Sequence, residues 1–302
     1  MIKILIVGGT GFIGYHLANH AIKKGWKVFS ISTKKPPKKR FLSKVKYIIC
    51  DITKKKDLNK KINIRFDYIV NLAGYVNHSD YSKTLKSHYH GCKNLVDSII
   101  DNPPKTFVQI GSSNEYGNVK SPHNEKATCK PSSIYGKAKL LSTKYLLQMF
   151  KKKNFPVVIL RLYQAYGPKQ DANRIIPQAI ISFLKNNYFD TTEGKQLRDF
   201  IYIDDIVRAI INSLLIKTAK GKIINIGTGQ PRKIREVILQ IFKIIKKGKP
   251  NFGQIKMRKD ETLKIYPNIK KANRIIDWSS KISFRDGLNK TIKSYEKSFK
   301  KK

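Results

Sequence analysis

The chain has 302 residues, 40% of them hydrophobic, enough to bury a sizeable core in one large domain or two closely joined ones. Its 62 basic against 20 acidic residues give a formal charge of +42, but this is mostly lysine spread along the whole chain, which argues against a specific nucleic-acid partner. No apolar run is long enough to cross a membrane, no signal peptide is expected, and three scattered cysteines, Cys50, Cys92 and Cys129, fit free thiols in a reducing cytoplasm.

The denser basic runs, Lys34 to Arg40, Lys54 to Lys61, Lys151 to Lys153 and Lys243 to Lys249, are predicted at loops and helix ends as solvated charge. Non-specific adhesion to nucleic acid at low salt is the expected consequence.

Residues 2–7 form an aliphatic strand that ends at Gly8-Gly9-Thr10-Gly11-Phe12-Ile13-Gly14, followed by a helical pattern through Leu17, Ala18, Ala21 and Ile22. In a strand, glycine turn and helix of this kind, Gly8 permits the tight turn, Gly11 lets the backbone approach a pyrophosphate, and Gly14 lets helix pack on strand. The helix N-terminus then faces the anion, so nucleotide binding is predicted.

The G-x-x-G-x-x-G spacing resembles the extended short-chain dehydrogenase/reductase superfamily, the nucleotide-sugar epimerases, dehydratases and reductases, and the resemblance continues along nearly the whole chain. It implies that Phe12 and Ile13 lie with the glycines against the cofactor. A second strand, Lys27 to Ser32, ends where a dinucleotide fold usually places an acid on the adenosine ribose. Ser32, Thr33, Lys34 and Lys35 stand there instead, which favours NADP, with NAD possible. The third strand, Lys46 to Cys50, leads to Asp51 and Ile52, matching the family's acidic position beside the adenine. The fourth, Phe66 to Gly74, would run Leu72, Ala73 and Gly74 under the dinucleotide. Alternating strands and helices predict an α/β, doubly wound parallel sheet of the Rossmann type with a smaller C-terminal α/β substrate lobe.

His88-Tyr89-His90-Gly91-Cys92-Lys93-Asn94 is similar to the family's N-V-x-G-T-x-N, with His88 in the first asparagine's place. His78, His88 and His90 lie close in sequence, but no acid or thiol completes a metal set, and the resemblance assigns this helix to packing. No metal is expected.

The fifth strand, Thr106 to Ile110, ends in Gly111-Ser112-Ser113-Asn114-Glu115-Tyr116-Gly117, similar to S-S-x-x-Y-G. By that resemblance Ser112 is the catalytic hydroxyl, and Ser113 and Asn114 face substrate where 4,6-dehydratases carry the acids for β-elimination. Glu115 before Tyr116 resembles the S-S-x-E-Y-G of GDP-4-keto-6-deoxy-D-mannose reductases, which turns the reading toward a ketoreductase.

Tyr135 and Lys139 are spaced to share one helix face, with Pro131 and Ser132 as the helix start. A lysine beside a tyrosine favours the phenolate, so the pair is a proton-transfer device. The sixth strand, Val157 to Leu162, precedes Tyr163-Gln164-Ala165-Tyr166-Gly167-Pro168, similar to the family's R-x-x-N-x-Y-G-P passage. Tyr163 is expected at the cofactor and Gln164, replacing asparagine, at the substrate. Ile176, in Asn173 to Pro177, is expected along the nucleotide base. Gln196 to Ile206 resembles R-D-[FY]-[IV]-x-[VI]-x-D, which implies that Arg198 grips a diphosphate, although an ion pair with Asp204 or Asp205 would use it equally well. Gly221 to Gly227 reads as a strand, Ile234 to Lys246 as a helix, and Arg258 as a second diphosphate or ribose ligand. Asp277-Trp278-Ser279 resembles the family's ending, and the last lysines read as a disordered tail.

The resemblance implies a dinucleotide-binding domain over 1–167 and a substrate lobe over 168–302, with 200–227 packing back on the first. It implies a cytoplasmic homodimeric reductase of a nucleotide-linked 4-keto-6-deoxy sugar, or a 4-epimerase with tightly held NAD. A non-catalytic nucleotide- or RNA-binding protein is a third reading, against which the intact Ser112, Tyr135 and Lys139 argue.

Overall fold

The structure is a computed structural model that describes residues 1–62, 64–75, 80–258 and 261–299. Its centre is a seven-stranded sheet built from Lys3–Val7 (β1), Lys27–Ser32 (β2), Val45–Ile49 (β3), Tyr68–Asn71 (β4), Thr106–Ser112 (β5), Val157–Leu162 (β6) and the strand Ile223–Ile226. The spatial order is Ile223–Ile226, β6, β5, β4, β1, β2, β3, and every neighbouring pair is parallel.

The two-residue period of each strand sorts its side chains into two apolar layers. Ile4, Ile6, Val28, Val70 and Val108 face one core, and Leu5, Val7, Ile31, Ile69 and Phe107 face the other. The helix Phe12–Lys23 (α1) covers the first face. The second is covered by Lys55–Lys61 (α2) and by Gly91–Asp97 (α4), which follows Tyr81–Leu85 (α3), together with Ile134–Lys153 (α5). Because β1 has β2 on one side and β4 on the other, the winding reverses between β1 and β4. The loops after these two strands therefore part and open a crevice.

Several boundaries differ from expectation in ways that matter at this crevice. β5 runs two residues further, to Ser112, because Ser112 still pairs in register with Leu162 of β6. β4 is shorter than expected and ends at Asn71, after which Leu72 bonds back to Val7. The helix start sits one residue later than the expected Ser132. Ser133 is the cap, its hydroxyl accepting from the Gly136 N–H at 3.1 Å.

Beyond β6 the chain builds small sheets, Gln164–Tyr166 with Phe200–Tyr202, Leu197–Arg198 between Arg232–Lys233 and Lys264–Ile265, and Tyr188–Thr191 with Lys249–Phe252. The expected helix at 234 ends at Ile245, where Lys246 takes a left-handed conformation. Asp199, buried at the middle of its motif, accepts from the N–H groups of Thr228 and Gly229 at 2.8 and 2.6 Å and fixes the turn after Ile223–Ile226. The buried Trp278 donates to the Asp205 carbonyl, and the Asp205 carboxylate accepts from Lys281 and Ile282, which is how the ending motif docks.

None of the three cysteines is in a disulfide. Among the described residues no helix is long and apolar enough to cross a membrane. The terminal lysines read as a tail include 300–302, which lie outside the described residues.

Candidate active site

The crevice holds a cavity of about 390 Å³ walled by the glycine loop, Leu72, Gly74 and Tyr75, the end of β5, the start of α5 and Leu162 to Ala165. Gly8, Gly11, Phe12, Ile13, Gly14, Leu72 and Gly74 all line it. Gly8 has φ +83°, and a Cβ there would also lie 3.0 Å from the backbone of Leu72 and Ala73. A Cβ on Gly14 would lie 2.6 Å from the Gly8 oxygen, so the start of α1 can seat on β1 only with glycine at that point. No acid occupies the first turn of α1, which leaves its N–H groups facing an anion-compatible space.

Not every expected cofactor residue reaches this cavity. Ser32 uses its hydroxyl on the loop itself, accepting from the Thr10 N–H at 3.4 Å and donating to the Ile31 carbonyl at 2.7 Å. Asp51 accepts from the Thr53 N–H at 2.9 Å, Ile52 is buried against Gly91, and the Ala73 N–H is held by Asn71 at 3.1 Å. Lys34 is exposed beyond the end of β2. None of these five lines the cavity.

Ser112, Tyr135 and Lys139 do converge on it. Ser112 is buried at the strand end, and its Oγ accepts from the Asn114 N–H at 3.2 Å, which leaves the hydroxyl hydrogen to be donated. Lys139, only 4% exposed, donates from Nζ to the Ile110 carbonyl at 2.7 Å and sits 5.9 Å from the centre of the Tyr135 ring. Ser113 and Asn114 form the rim beside Ser112. Glu115, one residue on, is fully buried in an ion pair with Arg161 at 2.9 Å and does not line the cavity. The acid of that segment is thus held outside the cavity by its ion pair.

His88 is buried, and its ring also reaches the cavity. A π-helical turn, Lys86–His90, carries its ring into the cavity wall, edge-on to Tyr135 with centroids 5.1 Å apart. Nε2 lies 3.2 Å from the Tyr75 carbonyl, and because a carbonyl only accepts, Nε2 carries the hydrogen. A Cβ on Gly74 would collide with this ring, so the two residues fit as a pair. His90 is exposed, and His78 lies outside the described residues.

Tyr163 lines the cavity, but its hydroxyl is committed to His123 Nδ1 at 2.9 Å, while His123 Nε2–H donates to Val119 at 3.0 Å. Burial lowers the His123 pKa to about 4 against the opposing pull of the Val119 carbonyl, so the ring is neutral.

A second cavity of about 880 Å³ adjoins the first through Gln164, Ala165, Gln170 and Arg174. Ile176, Arg198 and Arg258 line it. Arg198 is paired with Glu261, not with Asp204 or Asp205, since Asp205 is held by Arg208. Burial lowers the Arg198 pKa, and Glu261 offsets part of that. Arg40, expected in a solvated run, is instead buried, donating to the Lys169 carbonyl at 2.6 Å and pairing with Asp171 at 2.7 Å. An arginine among lysines was the available signal, because a planar fork suits a buried carbonyl and carboxylate better than an ammonium does.

Residues 4–227 match the NAD dependent epimerase/dehydratase family. The chain is 28% identical to a putative UDP-glucose 4-epimerase of Methanocaldococcus jannaschii, covering 96% of this chain and 97% of that one. It is 28% identical to the CDP-abequose synthase of Salmonella muenchen, covering 97% and 98%. The crystal structure of UDP-glucuronic acid 4-epimerase from Bacillus cereus, in complex with UDP-glucuronic acid and NAD, superimposes with a TM-score of 0.90 at 26% identity over 98% of this chain and 100% of that one. With the match spanning most of its length and the sheet, glycine loop and crevice arranged as described, the chain belongs to the NAD dependent epimerase/dehydratase family.

Proposed function

We propose that the protein is an NADP-dependent reductase of a nucleotide-diphospho-4-keto-6-deoxy sugar. The observation that carries this reading is the rim beside Ser112. Ser113 and Asn114 bring no carboxylate to the cavity and Glu115 is spent on Arg161, so the acid and base of a β-elimination are missing while a proton donor is in place. Among the described residues that line this cavity the one carboxylate is Asp171, and it is paired with Arg40.

The glycine cradle and the N-terminus of α1 fit a dinucleotide: Gly11 would let the backbone approach its pyrophosphate, while Gly8 and Gly14 hold the turn and seat the helix. When bound, a reduced nicotinamide supplies the hydride. Tyr135 gives its proton to the ketone oxygen as negative charge develops there, and Ser112 donates to the same oxygen and fixes its place. Lys139 holds the nicotinamide ribose and stabilises the phenolate left on Tyr135. Arg198 and Arg258 hold the diphosphate in the second cavity, so binding of the remote nucleotide orients the ketone. In this reading 1–167 carries the dinucleotide and 168–302 the sugar nucleotide, with Lys34 beside a 2′-phosphate.

A 4-epimerase with retained NAD is the second reading, favoured by the likeness to the Bacillus cereus enzyme. Mixing the protein with NADPH and UDP-, GDP-, CDP- and dTDP-linked 4-keto-6-deoxy sugars separates the two. The reductase consumes NADPH and yields a reduced sugar from one of them. No turnover across the panel, or interconversion of nucleotide sugars without added NADPH, overturns the proposal.

A further inference from the structure

We infer that Glu115 is a positioning residue that registers Ser112 against the helix bearing Tyr135 and Lys139, an inference that rests on the reductase reading above. Its carboxylate is fully buried and outside the cavity, yet it touches both halves of the catalytic set. Oε1 accepts from the backbone N–H of Ser112 at 2.9 Å, and Oε2 accepts from Thr143 Oγ1 at 2.8 Å and from Arg161 Nε at 2.9 Å.

Thr143 is the third member of a stripe on α5. Tyr135, Lys139 and Thr143 recur every fourth residue, so all three face the end of β5. Tyr135 meets the cavity, Lys139 donates to the Ile110 carbonyl, and Thr143 donates to the carboxylate that holds Ser112. Strand and helix are therefore tied at two points, on either side of Gly111. A Cβ on Gly111 would lie 2.5 Å from Glu115 Oε1, which explains glycine between the two ties.

The charge arrangement separates this device from ordinary packing. A buried carboxylate is costly unless paired, and Arg161 pairs it while stacking 4.5 Å from the centre of the Tyr116 ring. Apolar side chains could fill the same space with less desolvation. What a three-way hydrogen-bonded carboxylate adds is a fixed distance and angle between Ser112 and α5, and hydride transfer with concerted protonation depends on that alignment.

The test uses Thr143→Val, which removes one tether and keeps the shape, with Thr143→Ser as the conservative control that keeps the hydroxyl, so the outcome does not depend on whether Glu115→Gln folds. With the nucleotide sugar the wild type reduces, Thr143→Val is expected to lose about tenfold in kcat with KM within about twofold, and Thr143→Ser to recover most of it. Hydrogen exchange at the Ser112 amide, measured without substrate, is expected to quicken about tenfold in Thr143→Val. An unchanged kcat, a loss that serine does not recover, or unchanged exchange at Ser112 overturns the inference. Absence of turnover by the wild type instead sinks the reductase reading, and the exchange measurement alone then decides this one.

Discussion

Lys139 bridges strand and helix: its ammonium donates to the Ile110 carbonyl at 2.7 Å and stands 5.9 Å from the centre of the Tyr135 ring. The strand end thus fixes a positive charge beside the phenol. Replacing Tyr135 by Phe removes the transferable proton and leaves the ring contacts, so kcat is expected to fall by about 10² to 10⁴ with NADPH affinity within about twofold. Lys139→Met removes the charge and the partner of Ile110 together, so turnover and dinucleotide affinity should both fall. Steady-state kinetics and fluorescence titration of NADPH read the two effects separately.

The glycine cradle makes a steric prediction. Since a Cβ on Gly14 would lie 2.6 Å from the Gly8 oxygen, Gly14→Ala must push α1 away from β1. A loss of about 1–3 kcal/mol in stability and at least about tenfold in dinucleotide affinity is expected. Urea unfolding and NADPH titration check it, and wild-type values in both would show that the loop does not seat as described.

The proposed preference for NADP rests on the end of β2, where Lys34 is exposed and no carboxylate stands in Ser32 to Lys35. Lys34→Glu should weaken NADPH binding by about tenfold or more and leave NADH within about twofold, because only the 2′-phosphate meets the new charge. Equal loss for both cofactors would remove Lys34 from the 2′-phosphate site.

His123 makes stability depend on pH. An imidazole in the unfolded chain titrates near 6.5, whereas His123 in the fold titrates at about 4 because it is buried. Above pH 6.5 both states are neutral and the full stability is present. As pH falls toward 4 the unfolded chain takes up a proton that the fold refuses, so stability drops by up to about 3 kcal/mol. His16 and His20, also lowered chiefly by burial, add in the same direction. The urea midpoint measured between pH 8 and pH 4 should fall on the acid side, and His123→Gln should flatten that fall.

The parts of the site that were legible in the sequence are those carried by one strand or one helix. The glycine spacing, Ser112 at the end of β5 and the Tyr135 to Lys139 interval depend only on local geometry, and they meet at one cavity. What was not legible depends on partners far apart in the chain. Arg198 finds Glu261, Arg40 finds Asp171 and Glu115 finds Arg161, and residue type alone does not say which acid a buried arginine will meet. His88 escaped for a different reason, since a π turn alters which side chains of that helix face α5.

The central claim is that hydride enters the sugar while Tyr135 supplies the proton. The direct measurement is turnover with NADPH carrying deuterium at nicotinamide C4, followed by mass and NMR analysis of the product. One deuterium at sugar C4 for each NADPH consumed, abolished in Tyr135→Phe, is the expected result. A product with no deuterium at C4, or conversion of a 4-hydroxy nucleotide sugar to its C4 epimer with no NADPH consumed, would contradict it.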